Sequence, residues 1–214
     1  LSKNLNPELE RVHKKAALLA GAGAKIINIA ECSGSVHGTI NNPLSSKPVC
    51  NEEDWARLTD CLNKAGKVCN SYGLSIAYHH HMGTYIQNEN EVYRLLSDTD
   101  PGLVNLCADT GHMYFAGIDP VRFFENNMNR IRHIHFKDLR SNIFKNLNFK
   151  ETSFLKAVLS GVFTVPGDGC IDFEAISNVI IKSEYSGWII VEAEQDPAIA
   201  NPLEYAMQSK EYLN

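Results

Sequence analysis

Again and again along this chain an apolar run stops at an imidazole or a carboxylate, and a helix-forming stretch intervenes before the next run begins. Residues 24–31 end on Glu31. Residues 74–78 lead into His79, His80 and His81, and residues 103–108 lead into Asp109. Residues 132–138 carry His133, His135 and Lys137, and residues 188–194 carry Glu192 and Glu194. Another short run, 163–165, meets the turn Pro166-Gly167-Asp168-Gly169. Alternation of strands with helices, without a hairpin signal between strands, predicts parallel strands joined by helical crossovers.

The helix starts are legible from their caps. Asn6-Pro7, Asn51-Glu52-Glu53-Asp54, Asn88, Asp119-Pro120, Ser153, Asp172 and Asn201-Pro202 each place a short acceptor side chain before a helical stretch. Gly21-Ala22-Gly23 precedes a strand, where a dinucleotide fingerprint must follow one, so it is a helix stop.

Two architectures accommodate this order, an open doubly wound sheet and a (β/α)8 TIM barrel. An open sheet collects its site at one switch point, whereas a barrel gathers polar side chains from many strand ends onto one rim. Polar residues end nearly every strand here, so the expectation is an α/β barrel occupying residues 1–214 as one domain. Six strands do not close a barrel of this type, and the first two β/α units are expected before Leu1.

Composition narrows the partners. A formal charge of −5 argues against a nucleic-acid partner, which needs clustered Lys and Arg. No leader-like segment or apolar run of membrane-spanning length occurs in the 214 residues, so no membrane partner is expected. The cysteines at 32, 50, 61, 69, 107 and 170 form no C-x-x-C pair, and read as reduced thiols of a cytoplasmic protein.

Strand parity then sorts the ligands. Leu74, Ile76 and Tyr78 share one face; Ser75, Ala77, His79 and His81 share the other. His133, His135 and Lys137 share a face, as do Ile190, Glu192 and Glu194, which leaves Ile189, Val191 and Ala193 for the helix layer. If these strands ring one barrel, His79, Asp109, His135 and Glu192 converge as a mixed imidazole and carboxylate set. No thiolate is among them, which suits Mn, Co, Fe, Mg or Zn and is not a structural zinc pattern. Each residue has an ordinary alternative: Asp109 as a helix cap, Glu192 paired with Lys137, His135 as a satisfied core histidine.

Several stretches resemble the inosose dehydratase family: His79-x-His81-Met82-Gly83-Thr84, Asp109-Thr110-Gly111-His112, Ile134-His135-Phe136-Lys137-Asp138, Phe163 to Gly169, and Glu192-Ala193-Glu194-Gln195-Asp196-Pro197. The PGDG turn and the HxKD pattern are shared by the wider xylose-isomerase-like barrels. The HHHMGT and EAEQDP stretches are more discriminating. The wider superfamily usually has Glu where His79 stands here. The resemblance implies a xylose-isomerase-like (β/α)8 barrel, a divalent metal, Mn or Co foremost, and loss of water from a keto-inositol to give a cyclic diketone.

That reaction needs a base for an α proton, a charge-stabilising group at the ketone oxygen, and an acid for the departing hydroxyl. His112, His81, Lys137 and Glu194 are the candidates, unassigned among these roles. Glu31, His37 and Asp168 are expected to hold ring hydroxyls, and a homo-oligomer is compatible with the chain. A sugar isomerase or epimerase would use the same first proton transfer without losing water. An AP-endonuclease-like enzyme and a non-catalytic binding fragment are the other readings.

Overall fold

The structure is a computed structural model that describes residues 6–214. In order the chain forms α1 (Asn6–Gly21), β1 (Ile26–Ile29), α2 (Glu52–Ser71), β2 (Ser75–His79), α3 (Glu89–Asp98), β3 (Val104–Asp109), α4 (Thr110–Phe115) and α5 (Pro120–Asn127). There follow β4 (Ile131–Phe136), β5 (Asp138–Leu139), α6 (Ser141–Phe144), α7 (Phe154–Leu159), β6 (Phe163–Thr164), α8 (Phe173–Lys182), β7 (Ile189–Val191) and α9 (Pro202–Leu213). The expected caps are in place: Asn51, Asp119, Ser153, Asp172 and Asn201 each accept a hydrogen bond from a first-turn N–H of the helix they open. Asn88 and Glu91 close a reciprocal capping box on α3.

Five strands form a parallel sheet in the order β1-β2-β3-β4-β7. On α2, Trp55, Leu58, Leu62, Ala65 and Cys69 recur at helical spacing and are buried. They join Leu74, Ile76 and Tyr78 in one core. The predicted parity of β2 holds: Ile76 and Tyr78 are fully buried in the helix layer, while His79 turns to the opposite, partly open face. Among the described residues β1 and β7 each have a single strand neighbour, leaving two free sheet edges. A cavity of about 800 Å³ lies beside β1, bounded by α1, His133 and Trp188.

Two expectations are corrected. Residues 163–165 do not supply a sixth parallel strand: β6 pairs antiparallel with β5, Asp138 opposite Thr164 and Leu139 opposite Phe163. The cause is Asp138, whose buried carboxylate accepts backbone N–H groups from Gly169, Cys170 and Ile171 at 2.9–3.0 Å and from Gly167 at 3.3 Å. The PGDG turn is thereby pinned over the end of β4, and β7 pairs with β4 directly. The second correction concerns β7, where Ile189, Ile190 and Val191 are 38–41% exposed, on both faces, so the helix layer does not cover it.

Removing the Asp138 carboxylate strands several inward-facing N–H donors, each costing about 1–3 kcal/mol if left unpaired. Asp138→Ala is therefore expected to lower the unfolding free energy by about 3 kcal/mol or more in urea titration. Asp172→Ala, which loses one cap bond at an exposed helix start, should cost only about 1 kcal/mol.

Candidate metal centre

The sheet register assembles the site. Asp109 lies opposite His135 on the neighbouring strand, His79 lies opposite Cys107, and His135 lies opposite Ile190, so that β7 delivers Glu192 just past its end. The N–H of Glu192 is fastened to the carbonyl of Phe136 at 3.1 Å. One ligand atom from each of His79, Asp109, His135 and Glu192 falls within 4.8 Å of the others.

Asp109 divides its two oxygens. Oδ1 caps α4 by accepting the His112 N–H at 2.8 Å, so the cap alternative is correct for half of the carboxylate. Oδ2 is buried and has no hydrogen bond, yet stands 3.5 Å from His79 Nε2, 3.4 Å from His135 Nδ1 and 3.4 Å from Lys137 Nζ. His135 Nδ1 and Glu192 Oε2 are only 2.7 Å apart but are not aligned as donor and acceptor. Polar atoms this close, buried, and aimed past one another rather than at one another are the arrangement expected of ligands to a shared cation. Burial would lower the His135 pKa, but the Asp109, Cys107 and Glu192 side chains carry it up to about 12. The donor set, two nitrogens and two carboxylates, fits a hard or borderline divalent ion.

Beside this set lies a second group, His81, His112, Lys137 and Glu194. Lys137 is completely buried. Its Nζ is 2.5 Å from Glu194 Oε2, 3.3 Å from Glu192 Oε1 and 3.2 Å from His112 Nε2. Burial opposes an ammonium here, but the Asp109, Glu194 and Glu192 carboxylates more than offset it and raise its pKa above the ordinary lysine range. Burial, reinforced by His81 and Lys137, holds His112 neutral, and burial takes His81 down to about 3. Glu194 moves the other way, raised by burial against the pull of Lys137. It also adopts a left-handed backbone, φ +46°, unusual for a residue other than glycine and common where a functional side chain is forced into place.

The Asp-Thr-Gly-His stretch now has a residue-by-residue account. Asp109 faces the site. Thr110 Oγ1 donates to the Lys137 carbonyl at 2.7 Å and accepts the Lys137 N–H at 3.0 Å, clamping that residue's backbone. Gly111 leaves room for the lysine stem: a Cβ there would fall 2.6–2.9 Å from Lys137 Cβ, Cγ and Cδ. His112 then sits against Nζ.

The remaining expected residues are distributed differently. His37 joins the edge of the second group, its ring 5.1 Å from that of His81, on a loop held by the Val36 N–H to the Gly83 carbonyl at 2.9 Å. Glu31 accepts the Ser33 N–H at 2.7 Å and stays at the turn after β1. Asp168 accepts from Arg140 at 2.6 Å and from Thr164 Oγ1 at 2.6 Å. Burial would raise its pKa, but these donors hold it below the usual carboxylate range. Sequence reasoning missed Cys107, whose thiol lies with His79 and His135 in a group of its own. The signal was available, since Cys107 stands two residues before Asp109 on the same strand face. It also missed Arg140, whose guanidinium spans Asp168, Thr164 and the carbonyls of Gly161 and Phe163.

Residues 5–214 match the family model of the xylose isomerase-like TIM barrel. Over 213 residues the chain is 44% identical to an inosose dehydratase of Bacillus anthracis, covering 99% of this chain and 72% of that protein. The chain belongs to the inosose dehydratase family. A second inosose dehydratase, of Clostridium beijerinckii, is 47% identical over 192 residues, 89% of this chain and 64% of its own length. In fold, the chain resembles the solved structure of IOLI protein with a bound zinc atom, with a TM-score of 0.68 at 15% identity, over 96% of this chain and 67% of that one. The five-stranded parallel sheet is accordingly a curved portion of a xylose-isomerase-like barrel. No helix among the described residues is long and apolar enough to cross a membrane.

For this family member, Asp109→Ala and Glu192→Ala are each expected to weaken divalent-metal binding by ~10²-fold or more, since each removes a charged donor. Elemental analysis and calorimetric titration with Mn²⁺ measure it directly. Stoichiometric metal retained in both variants would overturn the ligand set.

Proposed function

We propose that this protein is a hydro-lyase that removes water from 2-keto-myo-inositol to give a trihydroxycyclohexane dione, a step of inositol catabolism. His79, Asp109, His135 and Glu192 would hold a divalent ion, Mn or Co foremost, with Mg, Fe or Zn as alternatives of similar coordination. The observation that carries the reading is the shared mouth: the candidate ligand set and the His81, His112, Lys137, Glu194 group meet at Lys137 Nζ, within 3.4 Å of three carboxylates. The ion, when bound, polarises a ketone oxygen and stabilises the negative charge that develops there.

The chain's own side chains then divide the proton transfers. His81 Nδ1 lies 2.8 Å from the Met82 carbonyl, which only accepts, so the ring proton resides on Nδ1 and the Nε2 lone pair faces the site. A neutral imidazole in that tautomer is suited to take the α proton of the ketone. Lys137, fixed as an ammonium, stabilises the enolate. Its partner Glu194, whose Oε1 lies 3.9 Å from His81 Nε2, takes that proton on and delivers it to the departing β hydroxyl, so that one C–H and one C–O bond break and one water leaves. His112 Nε2, 3.5 Å from Glu194 Oε2, orients that carboxyl. Glu31, His37 and Asp168 are assigned to the ring hydroxyls, Asp168 acting with Arg140. Phe154 and Phe163 wall the imidazoles, ring centroids 5.1–5.6 Å away, and limit water at the proton-transfer groups.

Two measurements test this. With Mn²⁺ or Co²⁺ present, product mass should fall by one water; unchanged mass with inverted stereochemistry would move the protein to the epimerase reading. In D₂O, His81→Ala should abolish α-proton exchange and water loss together. Glu194→Gln should lower kcat by ~10²-fold while exchange continues. Exchange lost in Glu194→Gln and kept in His81→Ala would reverse the assignment.

A further inference from the structure

The two imidazoles of the candidate metal centre are shared by two ligand sets. Above them, toward the strand ends, stand Asp109 and Glu192. Below them on β3 stands Cys107, two residues earlier on the same face and therefore about 6.6 Å back along the strand at ~3.3 Å per residue. The thiol is completely buried. Even so, Cys107 Sγ and one nitrogen each from His79 and His135 lie within 4.8 Å of one another. The register places His79 opposite Cys107 on β2, and Cys107 opposite His133 on β4, so the thiol is enclosed by imidazole-bearing strands on both sides. Asp109 Oδ2, equally buried and without a hydrogen bond, stands 3.5 Å from His79 Nε2 and 3.4 Å from His135 Nδ1, so the same two imidazoles border both sets.

We infer that the centre has two alternative coordination modes, a hard one through His79, Asp109, His135 and Glu192 and a thiolate one through His79, His135 and Cys107, chosen by the softness of the ion. Ligand chemistry favours this division: carboxylates suit Mn²⁺ and Mg²⁺, and thiolates suit Zn²⁺ and Cd²⁺, with Co²⁺ able to report either. Coordination of the thiol exchanges its S–H bond for an S–metal bond, the proton passing to solvent, with no change of oxidation state. An ion held wholly through Cys107, Cd²⁺ foremost, lies deeper in the sheet than one held by Asp109 and Glu192 and does not support turnover, whereas Co²⁺ divides between the two modes and keeps the activity of the hard one. The inference rests on the metal reading of the site, and Mn²⁺ binding tests that reading separately.

The experiment uses the full chain loaded with Co²⁺ alone and with ¹¹³Cd²⁺ alone. The expected results are a near-ultraviolet thiolate-to-cobalt charge-transfer band and a ¹¹³Cd resonance shifted downfield of the range for nitrogen and oxygen ligands. In Cys107→Ser the band should vanish and Cd²⁺ affinity fall at least ~10-fold, with Mn²⁺ affinity within ~3-fold of the parent. Cys107→Ala gives the same comparison if serine is not tolerated in the core, and the spectra of the unaltered chain need no variant at all. Stoichiometric Mn²⁺ binding with no thiolate band and no downfield resonance would overturn this inference alone. Absence of binding by every ion would overturn it together with the metal reading.

Discussion

Asp109 is the residue on which the rest of the molecule turns. A carboxylate with no solvent exposure carries a desolvation cost of several kcal/mol, and it persists as a charge only when surrounded by compensating groups. The fold provides them from every side: the N-terminus of α4 on Oδ1, and Lys137, His79 and His135 around Oδ2. Burial pushes its pKa up, yet Lys137 and the imidazoles of His135 and His79 hold it well below the ordinary carboxylate value. The same ammonium that stabilises Asp109 is itself kept charged by Asp109, Glu192 and Glu194. Neither group is affordable in the core without the other, so the chemistry of the site and the integrity of the sheet are one electrostatic problem.

Much of this was legible in the sequence because strand parity and helix caps are local properties. The caps at Asn51, Asn88, Asp119 and Asp172 follow from one side chain and the next few N–H groups, and they fall where the residue types place them. The convergence of His79, Asp109, His135 and Glu192 follows from each being at or just past the end of a parallel strand, which register then brings level. What escaped was decided by long-range pairing. Phe163–Thr164 has the composition of a strand, but Asp138, remote in sequence, sets the position and direction in which it pairs. The faces of β7 were read from alternation alone, and alternation cannot reveal that a strand has only one neighbour.

The polar networks around Asp168 and Asp138 show why residue type alone does not assign a role. Both are acids near the PGDG turn. Asp138 is used up on backbone N–H groups, a structural task, while Asp168 is held by Arg140, whose guanidinium also gathers carbonyls from the segment 161–163. Arg140 thus ties the loop that follows β5 to the loop that precedes α8. The ion pair of Arg140 with Asp168 fastens the one to the other.

The close approach of Gly111 to Lys137 carries a consequence for descent. The stem of Lys137 occupies the volume that any side chain at position 111 would need, with backbone clamps from Thr110 denying it an escape route. A lineage that acquires even a methyl group at 111 must shorten or reroute residue 137 at the same time, and one that loses the lysine frees position 111 to vary. The two sites are therefore expected to drift as a pair among homologues, and the identity of residue 111 becomes a readable marker of whether the buried ammonium has been retained.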